Sequence, residues 1–199
     1  MINFANVVCI GRVFLAFIAI ALLFHKHISS TWIAFLLTIF AIWADQLDGY
    51  LARKLNQASK FGGILDIACD RIVEMAYWIA FAVLGWVSIW VPFLFLLRGN
   101  LVDSIRAYYQ EKGFTAFGEK TMMKSSLGRF LVASNFSRFS YALAKALAFC
   151  LIILLHTNVH WSPLAGVAYF FVYFACVFCV IRGLPVILEA GDLLLKTKN

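Results

Sequence analysis

The sequence predicts an all-α integral membrane protein, with six transmembrane helices in one bundle, and three observations carry that reading. Hydrophobic residues make up 63% of the 199 residues and charged ones only 14%, against roughly a quarter charged in a soluble globular chain. Mean hydropathy is +0.88. Apolar runs long enough to cross a hydrocarbon core of roughly 30 Å recur along the whole length, with no separate polar domain between them.

The spans follow in order. The first, about 7–24, has no basic residues ahead of it and no small-residue cleavage pattern, so it is read as a retained helix rather than a removed signal. The second and third, about 30–50 and 62–84, are joined by RKLNQASKFGG, whose polar and glycine residues suit the turn of a helical hairpin. Gly85 supplies the break before the fourth, about 86–108. The interval 109–130 is the longest polar one and reads as a solvent-facing connection with local helix. The fifth span, about 131–156, is parted from the sixth, about 163–188, by Ser162-Pro163. No internal repeat or low-complexity tract interrupts this, and residues 1–199 are expected to form one membrane domain.

The formal charge of +7 would suit nucleic acid if the cations formed a patch. They sit instead in short connectors, where they set membrane topology, and no nucleic-acid partner is expected. Arg53, Lys54, Lys60, Lys112, Lys120, Lys124, Arg129, Lys196 and Lys198 fall on one side and little beyond Lys26 on the other. The positive-inside rule then puts both termini, and the hairpin between the second and third spans, in the cytoplasm. The membrane itself, inner, plasma or organellar, is not specified. The six tryptophans scatter near span ends, as interfacial anchors do. The five cysteines all lie in apolar surroundings. Cys176 and Cys179 form a C-x-x-C inside FFVYFACVFCVI with no second ligand pair nearby, so buried small hydrophobes are expected, not a metal or a disulfide.

Against this background the window DQLDGYLARKLNQASKFGGILDIACD, residues 45–70, is out of place, because four of the six aspartates fall inside it. Asp45 and Asp48 are three apart and share a helix face, and so do Asp66 and Asp70, four apart. A hairpin brings the two pairs together at the cytoplasmic end of the bundle, where carboxylates facing one another repel. A divalent cation resolves the repulsion, and an all-oxygen site suits Mg²⁺, Mn²⁺ or Ca²⁺ better than zinc. Gly49, Ala52, Gly62 and Gly63 leave room for a bulky ligand near the backbone. Arg53 adds a fixed cation of the kind that recognises phosphate. The alternative, aspartates paired with arginines for packing or topology, does not call for two same-face pairs punctuated by glycines.

The pattern Asp45-x-x-Asp48-Gly49-x-x-Ala52-Arg53, eight residues, then Gly62-x-x-x-Asp66-x-x-x-Asp70 resembles without a gap the signature of the CDP-alcohol phosphotransferase family. The chain's length and span number resemble that family too. So does its opening, Asn3, Asn6, Cys9 and Arg12 at three-residue spacing, except that Cys9 stands where Thr is common. The resemblance implies transfer of a phosphatidyl group from CDP-diacylglycerol to an alcohol, with release of CMP. It implies Asp45, Asp48, Asp66 and Asp70 as metal ligands for Mg²⁺ or Mn²⁺ at a two-metal site, with Asp70 also as general base. It implies Gly49, Ala52, Arg53 and Gly62 as the donor's cytidine-diphosphate pocket, and it allows a homodimer whose interface is not legible.

The acceptor is argued from cations at membrane depth, which are costly and usually face the bundle interior. Arg98, Arg106, Arg138 and Arg182 are the acceptor-binding candidates; snorkelling, or pairing with Glu74 or Asp103, is the competing account, and Lys145 snorkels most easily. Several inward cations suit a phosphorylated acceptor. The first choice is glycerol 3-phosphate, which would make the protein a phosphatidylglycerophosphate synthase. Inositol phosphate or inositol, serine, choline or another lipid are the alternatives. A cation transporter is the competing class, since acidic residues inside a membrane can pass an ion, but it has no need of the Gly-x-x-Ala-Arg element. His25, His27, His156 and His160 all fall at the opposite membrane face, away from the aspartates.

Overall fold

The computed structural model of the chain describes residues 4–54, 60–111, 125 and 128–196, and the side chains of 6–45, 61–109, 125, 128, 130–132 and 134–189. Among them are six α-helices and one π-helical turn, with no strand. The helices are α1 (Phe4–Phe24), α2 (Ile28–Lys54), α3 (Lys60–Val83), α4 (Trp90–Glu111), α5 (Asn135–Leu155) and α6 (Leu164–Lys196), and the π turn is Arg129–Ala133. Among the described residues, four stretches are long and apolar enough to cross a membrane: Asn6–Phe24, Ile28–Asp45, Asn135–Leu155 and Leu164–Glu189. The helices α3 and α4 are long enough, at 24 and 22 residues, but less apolar. Lys60, Asp66, Asp70, Arg71 and Glu74 lie in α3, and Arg98, Asp103, Arg106 and Glu111 in α4.

The helices depart from the expected spans mainly at the ends nearest the basic connectors. The helix α2 continues to Lys54 and α6 to Lys196, because Leu, Ala, Arg and Lys at those ends are all good helix formers, and Arg and Lys keep that propensity where their charge is too costly for lipid. The expected fifth span starts late: a π turn over Arg129–Ala133 ends at Ser134 in extended conformation, and α5 begins afterwards. Ser134 caps it, its hydroxyl accepting from the Ser137 N–H at 3.1 Å, the usual use of serine at a helix start.

The chain divides into two compact units, Met1–Pro92 with Ala146–Tyr169, and Phe93–Lys145 with Phe170–Asn199. In the first unit, α1 packs against α2 and α3. Small residues are prominent among the buried ones of these helices: Ala16, Ala19, Ala34, Ala41 and Ala44 are buried with Ile20 and Leu23, while Phe14, Phe17, Leu36, Phe40 and Trp43 face outward. Lipid tails are as apolar as leucine, so burying a large side chain brings no hydrophobic gain in a bilayer, and close backbone approach through alanines does the work instead. A hydrogen bond between the buried Thr38 and Tyr77 hydroxyls at 2.8 Å ties α2 to α3. An aromatic cluster of Tyr77, Trp78, Phe81 and Phe149 fills the centre of this unit.

The expected break at Gly85 is present and has a defined form. Gly85 adopts φ +74°, its N–H donates to the Ala82 carbonyl and the Trp86 N–H to the Phe81 carbonyl. This is the paired closure of a helix C-terminus that needs a left-handed residue. The break at Pro163 is also present, directly before α6.

Candidate functional site

Three helices of the first unit meet at the acidic window. Asp45 lies near the C-terminal end of α2, and Asp66 and Asp70 lie one turn apart near the start of α3. A carboxylate oxygen from each falls within 4.8 Å of the other two. The i, i+4 spacing of Asp66 and Asp70 puts both on one face of α3, the face that meets Arg12 of α1. Gly62, one turn before Asp66, lies at the same end of α3. Asp48, Gly49, Ala52 and Arg53 lie on the α2 backbone, but their side chains are outside the described residues. The hairpin residues 55–59 are outside them as well.

One member of the site was not assigned from the sequence. Arg12, buried at 4% exposure on α1, reaches into the carboxylates. Its Nη1 pairs with Asp45 Oδ1. Its Nη2 donates to Asp70 Oδ1 at 2.7 Å and lies 4.0 Å from Asp66 Oδ1. A single guanidinium therefore bridges all three. Its five N–H donors in a rigid plane suit this better than a lysine would. Next to it, the Cys9 thiol faces the Leu65 carbonyl at 4.0 Å, so the residue where Thr is common touches the helix that carries two of the aspartates. The signal available in the sequence was a lone arginine within an apolar span, a costly placement that asks for a partner.

The donor set suits a hard divalent cation. It is all oxygen, as Mg²⁺ and Mn²⁺ prefer, and three carboxylates less one guanidinium (−3 + 1) leave −2. That balance matches one doubly charged ion. Asp45, Asp66 and Asp70 are the described residues that would hold it. Glu74, one turn beyond Asp70, does not extend the acidic face; it accepts from Arg71 Nη1 at 3.1 Å.

The acceptor candidates all lie in the second unit. Arg98 and Arg182 are buried, at 8% and 5% exposure, and Arg106 and Arg138 are half-buried. Arg182 donates from Nη1 to the Ser137 hydroxyl at 3.2 Å and from Nη2 to the Val132 carbonyl at 3.3 Å. Both acceptors are neutral. The helical turn ends at Ala133, which leaves its last carbonyls without partners inside the helix, and Leu131 O accepts a hydrogen bond from the Ser137 hydroxyl at 2.6 Å. Such turns often mark functional positions. Arg138 donates from Nη2 to the Asn135 side-chain oxygen on the same helix. The charges of Arg98, Arg106 and Arg138 all act on Arg182, so the four cations form one positive region.

The sequence profile of CDP-alcohol phosphatidyltransferases matches residues 2–181, nearly the whole chain. The chain belongs to the CDP-alcohol phosphatidyltransferase family. Among curated relatives of this family, the chain is 36% identical over 76 residues to a CDP-diacylglycerol–glycerol-3-phosphate 3-phosphatidyltransferase of Mycoplasma genitalium, covering 38% of this chain and 32% of that one. It is 31% identical over 119 residues to the protein of the same name from Pseudomonas fluorescens, covering 58% and 60%. It is 29% identical over 85 residues to a phosphatidylinositol phosphate synthase of Mycobacterium marinum, covering 40% and 36%. The matched stretches thus span from about a third to three-fifths of these relatives' lengths. Membership of a membrane-enzyme family and four apolar helices together make this a membrane protein.

Proposed function

We propose that this CDP-alcohol phosphatidyltransferase family member makes phosphatidylglycerophosphate, transferring the phosphatidyl group of CDP-diacylglycerol to glycerol 3-phosphate and releasing CMP. The observation that carries the reading is the convergence of Asp45, Asp66 and Asp70, at the signature positions, within 4.8 Å of one another. Residues 1–199 act as one membrane domain of six spans, with α3 and α4 as the two charged ones. The carboxylates and both termini lie on the cytoplasmic side, since the connectors there hold nearly all the cations.

Asp45, Asp48, Asp66 and Asp70 would hold the metal ions, Mg²⁺ or Mn²⁺. When bound, such ions neutralise a diphosphate and stabilise the departing phosphate of CMP. Gly49, Ala52 and Gly62 keep the backbone open to the nucleotide, and Arg53 pairs with its phosphate. Arg12 fixes the carboxylates in place from α1. Asp70 accepts the proton of the attacking hydroxyl, which calls for a carboxylate within hydrogen-bond reach of it. Arg98, Arg106, Arg138 and Arg182 bind the phosphate of the acceptor. A site at the membrane border lets the donor's acyl chains stay in lipid while a water-soluble acceptor reaches the head group. A homodimer is the assembly we expect.

Two of the relatives described above carry glycerol 3-phosphate in their names. A third, the phosphatidylinositol phosphate synthase, favours inositol phosphate as the second reading, which the same arginines would serve. The experiment is CMP release from CDP-diacylglycerol by the purified protein with Mg²⁺ or Mn²⁺, run with glycerol 3-phosphate, inositol phosphate, inositol and serine. Release that depends on glycerol 3-phosphate supports the proposal. Release with another acceptor only would replace the substrate, and no release with any of them, at either metal, would remove the enzymatic reading.

A further inference from the structure

The cations of the second unit gather around one aromatic ring. The Arg98 and Arg182 guanidinium carbons lie 5.9 and 5.3 Å from the centroid of Tyr141, and the Lys145 ammonium lies 4.6 Å from it. All three are within the range at which a ring quadrupole attracts a cation. Tyr141 is itself buried and stacked on Phe178, with centroids 5.8 Å apart and planes 26° from parallel. The ring is therefore held in place by α6 as well as by its own helix.

Two further features show what this arrangement leaves available. Neither Arg98 nor Arg182 has a carboxylate within salt-bridge distance among the described residues, and the Nε of each is buried without a hydrogen-bond partner there. Unmet donors on a buried guanidinium are costly unless a ligand completes them. The second feature is Gly183. A Cβ there would come within 2.8 Å of Arg98 Cγ and 3.2 Å of its Nε, so Arg98 takes its course past α6 only because this position carries no side chain.

We propose that Tyr141 is the positioning residue of an anion subsite, gathering Arg98, Arg182 and Lys145 to meet a phosphate monoester, and that Gly183 admits Arg98 to it. A carboxylate could have held the same cations, but it would have neutralised them. A neutral ring holds them and leaves their charge for the ligand. The subsite therefore discriminates a phosphorylated acceptor alcohol from an unphosphorylated one. This rests on the acceptor reading above.

The test uses the full chain in detergent or nanodiscs, with Tyr141→Leu, Tyr141→Phe and Gly183→Ala beside the wild type. For catalysis, Tyr141→Leu is expected to raise KM for glycerol 3-phosphate about tenfold, equivalent to about 1.4 kcal/mol, with KM for CDP-diacylglycerol within twofold. Tyr141→Phe keeps the ring and stays near wild type, and Gly183→Ala follows Tyr141→Leu. A second arm needs no turnover: inorganic phosphate raises the wild-type melting temperature and that of Tyr141→Phe, but not that of Tyr141→Leu. If the wild type shows the phosphate effect but does not use glycerol 3-phosphate, the acceptor assignment fails and the subsite stands. The proposal is overturned if phosphate stabilises the wild type and Tyr141→Leu equally, or does not stabilise the wild type. It is also overturned if Tyr141→Leu weakens donor and acceptor alike.

Discussion

Replacing Arg12 by methionine keeps the length of the side chain and removes its charge, and it should make the fold depend on divalent cations. Truncating one partner of a buried ion pair costs ~3–5 kcal/mol. Arg12 is 4% exposed, but Asp45 is 32% and Asp66 and Asp70 are 52% exposed. Water therefore screens much of the repulsion left behind, and about 2 kcal/mol is the expected loss. For a chain of this length that is a fall in melting temperature of roughly 4–8 °C in EDTA. The carboxylates then carry −3 in place of −2 and no longer share their oxygens with a guanidinium, so they should bind a divalent ion more tightly. An ion present at a hundred times its Kd adds about 2.7 kcal/mol. Millimolar Mn²⁺ should therefore raise the melting temperature of both proteins, that of the variant by more, so that the gap narrows. The assay is thermal unfolding followed by intrinsic fluorescence, with EDTA and with Mn²⁺ in parallel. Equal melting temperatures in EDTA would refute the role given to the guanidinium. Melting temperatures that Mn²⁺ raises in neither protein would refute the cation site, and equal rises in both would refute tighter binding by the variant.

Asp70→Asn should lower CMP release by about 10²–10⁴-fold, the usual contribution of a general base, while CDP-diacylglycerol still binds in an equilibrium assay; turnover at the wild-type rate would remove Asp70 from that role. Thr38→Val deletes the buried hydroxyl shared with Tyr77 and should cost about 1 kcal/mol, near the middle of the range for interhelical hydrogen bonds in membranes, read as a melting shift of roughly 2–4 °C. Gly85→Val forces a β-branched residue into a left-handed conformation and should cost about 1–2 kcal/mol, whereas Gly85→Asn should cost less because asparagine tolerates that region.

What could be read beforehand was local in sequence. Asp66 and Asp70 announce themselves because four-residue spacing fixes a shared face, and the polar stretch between two apolar runs already points to Asp45 as their neighbour. Gly85 and Pro163 announce helix boundaries for opposite reasons, Gly85 because it takes a positive φ without strain and Pro163 because its ring fixes φ. Arg12 is different: its partner Asp70 is 58 residues away, and no local pattern links them. The π turn at Arg129–Ala133 was also hidden, since the same residues would serve an ordinary helix. Tyr141 is one of 33 aromatic residues, and its significance comes from three cations delivered by two other helices and its own. The reading of α3 and α4 as spans weighed length above charge. Composition alone singles out the other four, because the residues that give α3 and α4 their chemistry also make them polar.

The alanine seam between α1 and α2 reverses the usual rule of thumb about which positions tolerate change. In a water-soluble protein the bulky residues are the guarded ones. Here the outward Phe, Leu and Ile side chains could be exchanged for other greasy ones with little penalty, while one added methylene at Ala16, Ala34 or Ala41 would wedge two backbones apart. Anyone recasting this protein for extraction without detergent should therefore repaint its exterior freely and leave its smallest residues untouched.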